Sequence, residues 1–180
     1  MYGYTNILLD TMKAEQKGEY QLLANLATKL DMIAKELELR IVATVQLAIY
    51  SMNRKYLDHT CLAESKQIVE IAEHSLYFRY TDLTELGGLQ VYRFVNEYDE
   101  DGNFTGAFKE LIEIGEMQGL QTTGEKDDKD LWQGMKYLLL FVGKNRHGES
   151  DKIVLARVNF DIMYYEEVGI VEGLKYDSKV

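Results

Sequence analysis

The chain has 180 residues, and its hydrophobic content of 46% is enough to bury the core of one domain. Its formal net charge of −10 argues against a broad nucleic-acid footprint, which is normally basic, and its single cysteine excludes an intrachain disulfide. It has neither an apolar run that could span a membrane nor the basic and apolar regions of a signal peptide, so a cytoplasmic protein is predicted.

The first part of the chain predicts two strands around a long helix. Residues 4–9 are mostly apolar and end at Asp10, and the β-branched run 41–45 ends at Gln46. Between them, large apolar residues recur about every 3.6 residues from Leu22 to Leu37, which is typical of an amphipathic helix. Continuous apolar strands around such a helix predict a buried, parallel β-α-β unit.

The middle of the chain predicts a short helix, two strands and an acidic insertion. Residues 62–73 favour a helix, whereas residues 75–80 and 89–95 favour strands. The segment Glu97–Asp130 contains eleven acidic and three basic residues, so it carries −8 of the net charge. We expect it to be a solvated insertion with a helix over Phe108–Ile114.

A β-hairpin is predicted next. Residues 137–143 and 153–158 are strand-like, the second strand is expected to run on to Tyr165, and the tip between them reads Lys144-Asn145-Arg146-His147-Gly148. This tip presents the cations Lys144 and Arg146 on a rigid stalk, from which they could reach a phosphate held by a neighbouring molecule. The alternative is that both are ordinary solvated charges.

Two polar residues at strand ends are candidates for chemistry. Ligands of parallel α/β sheets collect at the carboxyl ends of the strands, where Asp10 and Gln46 lie. An aspartate after an apolar strand can hold Mg²⁺ beside nucleotide phosphates, but it can also cap a loop or a helix. Gln46 could orient a water or sense a γ-phosphate, or it could satisfy loop backbone.

In this order, the motifs resemble the carboxyl-terminal two-thirds of the RecA-like motor domain of DnaB-type replicative helicases, in particular phage or prophage versions. Ile7-Leu8-Leu9-Asp10 resembles the Walker B strand, and the strand before Gln46 resembles the family's "S-Q-L" strand. Residues 62–68 (Leu-Ala-Glu-Ser-Lys-Gln-Ile) resemble the DNA loop "L-R-E-S-G-x-I", and Lys144–Gly148 resembles the arginine-finger motif "K-x-R-N-G". The resemblance implies a partial RecA-like α/β sheet of the P-loop NTPase core, with flanking helices and a carboxyl-terminal β-hairpin.

The resemblance also implies ATP-dependent DNA unwinding in replication, by a ring of subunits with ATP between neighbours. Asp10 would place Mg²⁺, and Gln46 would report the γ-phosphate to the DNA loop. Arg146, with Lys144, would stabilise transition-state charge in the adjacent subunit's site. Single-stranded DNA would be contacted near the central channel by Glu64, Ser65, Lys66 and Gln67.

The chain departs from this family upstream of Asp10, since it contains no G-x-x-x-x-G-K-[ST] loop. We therefore expect residues 1–180 to be one motor domain truncated before Asp10, with weak or no ATP binding in isolation. It would form a homo-oligomer or pair with a chain that supplies the Walker A loop. Two alternatives stay open. One is a non-catalytic interaction module or prophage remnant that self-associates or docks on an intact helicase, and the other is an unrelated small α/β ATPase.

Overall fold

The protein is a mixed α/β chain that divides into two compact units. The first unit comprises Met1–Ser75 and Gly143–Ser150, and the second comprises Leu76–Val142 and Asp151–Val180. The computed structural model describes residues 6–12, 20–48, 51, 53–62, 66–113 and 135–174.

The first unit is built on a parallel β-α-β arrangement. Strand β1 (Asn6–Met12) and strand β2 (Arg40–Val45) pair in parallel, and helix α1 (Tyr20–Glu36) connects them. The helix ends where Glu38 adopts a left-handed conformation (φ 53°), which lets the Leu39 amide donate to the Ala34 carbonyl at 2.8 Å. The predicted helix and the parallel strand pair are confirmed.

Two short helices follow in the described part of the first unit. A 3-10 helix (His59–Leu62) precedes helix α2 (Lys66–Ile71), which contacts both it and α1. Among the residues that the structure describes, the buried apolar side chains of this unit are Leu23, Ala24, Ala27, Leu57, Cys61 and Leu62. None of the described helices combines the length and apolar character needed to cross a membrane.

The expected burial of the parallel strands is wrong. Leu8 and Val42 are cross-strand partners, yet their side chains are 75% and 59% exposed. Parallel strands are buried when other elements cover both faces of a larger sheet. In the described residues this sheet has two strands, and one apolar face of it stays in contact with solvent.

In residues 66–113 and 135–174, the second unit forms a six-stranded sheet in the order β3-β6-β7-β8-β4-β5. The pairs β4–β5, β4–β8, β6–β7 and β7–β8 are antiparallel, so this sheet differs from the parallel sheet expected of a RecA-like domain. Its elements are β3 (His74–Thr81), α3 (Leu83–Leu86), β4 (Gln90–Tyr98), β5 (Phe104–Ile112), β6 (Lys136–Asn145), β7 (Lys152–Asn159) and β8 (Tyr164–Glu172).

The predicted hairpin is confirmed as β6 and β7. Leu139 pairs with Leu155 and Phe141 with Ile153, and all four side chains are buried in the core of the second unit. The expected extension of the second strand to Tyr165 is wrong. The chain turns after β7, where Asn159 Oδ1 accepts a hydrogen bond from the Asp161 amide at 3.0 Å, and β8 returns antiparallel to β7.

The helix predicted over Phe108–Ile114 is also wrong for the described residues, because 104–112 form strand β5. A tight turn joins β4 to β5. The Asp99 carboxylate accepts hydrogen bonds from the amides of Asp101 and Asn103 at 3.0 and 2.7 Å, and Gly102 adopts φ +82°. Pairing with β4 thus overrides the local apolar spacing, as tertiary context often does. Residues 114–130 of the predicted insertion lie outside the described residues.

Strand β4 pairs with β8 only through Gln90, Val91 and Tyr92, whereas its pairing with β5 continues to Tyr98. We call residues 93–110, in which β4 pairs with β5 alone, the β4–β5 arm. Gly169 of β8 lies where the arm begins, and a Cβ atom there would overlap the Tyr92 carbonyl group. A glycine at 169 therefore permits the close approach of the two strands.

Replacing Gly169 with alanine is expected to lower the free energy of unfolding by about 2 kcal/mol, because the β4 backbone must move to accept the new methyl group. Gly106 in β5 provides the control, since a Cβ atom there would have Glu97 Oε2 at 3.8 Å as its nearest neighbour. Gly106→Ala should be neutral or stabilising by about 0.5 kcal/mol. Urea unfolding followed by circular dichroism measures both. Equal effects of the two substitutions would contradict this account of Gly169.

Candidate functional site

The predicted site residues all belong to the first unit. The segment Gly143–Ser150, which includes the hairpin tip, belongs to the same compact unit as Met1–Ser75. Residues 76–142 separate these two segments in the sequence. This unit therefore contains Asp10, Gln46, Lys66, Gln67, Lys144 and Arg146.

Asp10 and Gln46 lie at the same end of the parallel pair. Leu9 pairs with Ala43 and Met12 with Val45, so the irregularity in register falls between Leu9 and Met12. The prediction that the strand ends at Asp10 is wrong, because β1 continues to Met12. Gln46 directly follows β2, and its side chain is exposed. Asp10 therefore lies in the carboxyl-terminal half of β1, and Gln46 lies just beyond the carboxyl end of the parallel partner β2.

The predicted DNA loop is described only in part. Glu64 and Ser65 lie outside the described residues, whereas Lys66 and Gln67 form the beginning of α2. The Gln67 side chain is exposed. Helix α2 therefore has one end at the predicted DNA-contacting residues, and its other end leads to β3.

The two cations of the hairpin tip contact the carboxyl-terminal end of α2. Lys144 Nζ donates to the carbonyl oxygens of Val69 and Glu70, at 2.7 and 2.8 Å. Arg146 Nη2 donates to the Glu70 carbonyl at 3.1 Å, and the Arg146 amide donates to the Glu73 carbonyl at 3.2 Å. The last carbonyls of a helix lack partners within the helix and attract positive charge, so the tip satisfies the end of α2.

The contacts of the tip also change the pKa of Lys144. Partial burial lowers the pKa of Lys144 from its ordinary value, the charge of Arg146 lowers it further, and the carboxylate of Glu70 opposes both effects. The protonated Lys144 is thus held near a second cation at some cost in solvation, which its two hydrogen bonds to carbonyl oxygens offset.

Asn145 shapes the turn that positions the cations. Its Oδ1 accepts from the His147 amide at 3.2 Å, and its Nδ2 donates to the Glu149 carbonyl at 3.3 Å. Gly148 passes so close that a Cβ atom there would lie 2.6 Å from Asn145 Nδ2. The sequence-based reasoning gave Asn145 no role. The signal was present, because asparagine and glycine in a polar tip favour a turn that is held by the asparagine side chain.

Replacing Lys144 with methionine, which keeps the aliphatic stem, should lower the free energy of unfolding by about 1 kcal/mol, since two charge-assisted hydrogen bonds to α2 are lost. The end of α2 should also open more often. Hydrogen exchange of the Ala72 amide, which bonds the Ile68 carbonyl at 2.9 Å, reports that opening. Lys35→Met removes an exposed ion pair with Asp31 and serves as the control. Unchanged exchange at Ala72 would show that Lys144 does not hold the helix end.

A site for Mg²⁺ and ATP needs a carboxylate for the metal, cations for the phosphates and a loop whose amides hold the phosphates. The sheet edge offers Asp10 and Gln46, and the tip offers Lys144 and Arg146. The sequence contains no glycine-rich loop followed by Lys-Ser or Lys-Thr. The sequence therefore offers candidates for the carboxylate and the cations of such a site, and none for the loop. In the described part of the chain, no group of three or more His, Cys, Asp and Glu side chains could hold a metal ion.

Comparison of the chain with known protein-family models found no match, and comparison with curated proteins found none either. Its function is therefore inferred from the residues and their geometry.

Proposed function

We propose that this chain is the carboxyl-terminal part of a DnaB-type, ATP-dependent DNA-unwinding motor. It would act when a segment with a phosphate-binding loop completes its site, whether that segment lies on the same polypeptide or on another one. The observation that supports this proposal most is that the β1-α1-β2 arrangement, α2 and the hairpin tip belong to one compact unit, as parts of one motor domain would, with the tip serving the adjacent subunit. The unit thereby combines strand-edge polar groups, two cations and the residues of the DNA loop.

The exposed apolar face of the β1–β2 pair supports the proposal that another segment adds strands to this sheet. Burial of Leu8 and Val42, now 75% and 59% exposed, would contribute roughly 1.5–3 kcal/mol for each side chain. In the proposal, β1 and β2 belong to a RecA-like sheet whose further strands come with the phosphate loop. The same contact would bring that loop to the edge where Asp10 and Gln46 lie.

The proposal gives each part of the unit a role. Asp10 supplies a carboxylate for Mg²⁺, and Gln46 supplies an amide for the terminal phosphate. Lys144 and Arg146 serve the site of the adjacent subunit in a ring. The residues at the start of α2 contact phosphates of single-stranded DNA, as a non-sequence-specific motor requires. Such a motor works in the cytoplasm, where DNA is replicated in bacteria and their phages.

The test is reconstitution. The chain is mixed with a separately produced amino-terminal half of a DnaB-type motor domain that carries the phosphate loop and ends before its Walker B strand. We expect ATP hydrolysis that single-stranded DNA stimulates in the mixture, and none with either part alone. Val42→Lys, which places a charge on the exposed sheet face, should abolish the activity of the mixture. Absence of hydrolysis in a mixture whose two parts demonstrably bind each other would overturn the proposal.

A second candidate is a non-catalytic interaction module that self-associates or docks on an intact helicase. The contacts of Lys144 and Arg146 favour it, because both side chains bond carbonyl oxygens of α2 in their own chain. In this position they do not extend toward the nucleotide of a neighbouring subunit. Sedimentation and binding assays with an intact DnaB-type helicase separate the candidates. The module should bind through the Leu8–Val42 face and leave ATP hydrolysis independent of Arg146. A strictly monomeric chain that binds no helicase would contradict it.

A further inference from the structure

The β4–β5 arm exposes aromatic side chains on both of its faces. Phe94, Tyr98, Phe104 and Phe108 are between 45% and 61% exposed. Tyr98 and Phe104 are cross-strand partners whose rings meet edge-to-face, with centroids 6.0 Å apart, whereas Phe108 pairs with Val95. A two-stranded hairpin gains little stability by itself, and exposed aromatic rings cost free energy in water. Their exposure along this arm therefore indicates a surface for binding.

The charge of the arm restricts what can bind there. The segment Phe94–Phe108 contains four carboxylates and no lysine or arginine. Its cations lie at the base, where Arg93 pairs with Glu110 at 2.6 Å and Lys109 pairs with Glu172. The phosphates of nucleic acid would be repelled, and two copies that met through their arms would bring eight carboxylates together. A basic partner is the complementary choice.

The edge of the sheet indicates the form of that partner. Strand β5 is the last strand in the sheet order of the described residues. It runs for nine residues with no proline and one lysine, so it has little of the protection that edge strands usually carry. Such an edge can accept an extended segment as an additional strand, with backbone hydrogen bonds for affinity and side-chain contacts for specificity.

We propose that the β4–β5 arm is a docking site for an extended, basic segment of a partner protein. The segment pairs with the edge of β5, its apolar side chains cover the aromatic rings, and its cations lie near the carboxylates at the turn. This inference is independent of the motor function and of the first unit.

The test is a titration of the ¹⁵N-labelled chain with a short synthetic peptide in which lysine alternates with valine. Chemical-shift changes should centre on Phe104–Ile112 and the adjoining turn. A peptide in which glutamate replaces lysine should cause none. Binding that spreads evenly over the acidic surface of the chain would overturn the proposal.

Two matched variants separate docking from general charge attraction. Glu97→Gln combined with Glu100→Gln and Asp101→Asn should weaken binding of the lysine peptide by about tenfold, while Asp99 is kept for its role in the turn. Glu36→Gln combined with Glu38→Gln and Asp161→Asn removes the same net charge elsewhere and should leave binding within about twofold. Equal weakening by both sets would overturn the proposal.

Phe104→Ser tests the apolar contribution at unchanged charge and should also weaken binding. If a variant opens the arm, loss of its cross-strand nuclear Overhauser effects will reveal this. The wild-type chain then supplies the deciding measurement, since its binding should weaken at high salt and still map to β5. Binding of the wild-type chain that shows no salt dependence would contradict the charge argument.

Discussion

If the proposed motor is completed by a phosphate-binding segment, replacing Arg146 with alanine is expected to slow its DNA-stimulated ATP hydrolysis roughly a thousandfold, the lower end of the effect of removing an arginine finger. The physical reason is loss of the guanidinium that would neutralise charge developing on the phosphate in the adjacent subunit. The rate is measured in the reconstituted mixture at saturating ATP and single-stranded DNA.

The controls distinguish catalysis from folding. Arg93→Ala removes an exposed cation from the β4–β5 arm and should leave the rate within about twofold of wild type, as expected for a remote surface charge. Arg146→Ala also loses the hydrogen bond to the Glu70 carbonyl, worth about 1 kcal/mol, so urea unfolding must show that the variant is folded. Mixed rings of the Arg146→Ala and Asp10→Asn variants should recover part of the activity, because some interfaces then contain both wild-type residues. An unchanged rate in Arg146→Ala would favour the interaction module.

Replacing Glu166 with alanine should lower the free energy of unfolding by about 3 kcal/mol, the largest stability loss we expect. Arg157 is 5% exposed, and its Nη2 donates to Glu166 Oε2 at 2.6 Å between the adjacent strands β7 and β8. The Tyr164 hydroxyl donates to the same carboxylate at 2.9 Å. The substitution would remove the carboxylate that faces a buried guanidinium and that accepts from the tyrosine hydroxyl.

Glu167, the next residue on β8, provides the matched control because its side chain is exposed. Glu167→Ala should change stability by no more than about 0.5 kcal/mol, as is usual for surface substitutions. Glu166→Gln, which keeps an acceptor oxygen but removes the charge, should fall between the two. Urea unfolding by circular dichroism measures all three. A loss below about 1 kcal/mol for Glu166→Ala would show that Arg157 is stabilised by other groups.

The β-α-β arrangement and the hairpin could be predicted because each has a local signal. The apolar period from Leu22 to Leu37 specifies a helix, and strand-like runs on either side of a polar, Gly-containing tip specify a hairpin. Strand β5 was missed because Phe108, Leu111 and Ile112 have a spacing that also suits a helix. Their conformation depends on pairing with β4, which local spacing does not reveal.

The candidate residues could be selected from the sequence, whereas their contacts could not be predicted. Lys144, Arg146, Asp10 and Gln46 could be selected from strand ends and a cationic tip. The partners of the two cations are backbone carbonyls of Val69 and Glu70, and a carbonyl group is present at every position of every sequence. Nor could the sequence reveal that the apolar strands β1 and β2 are exposed, since apolar composition alone does not specify what covers a strand.

Because Lys144 and Arg146 hold the end of α2, they cannot leave to engage a phosphate elsewhere without releasing that helix. In the proposed ring, a subunit whose tip contacted its neighbour's nucleotide would therefore release the end of α2 opposite the residues proposed to contact DNA. In the proposed ring, the position of the tip and the order of α2 would then be coupled within each subunit.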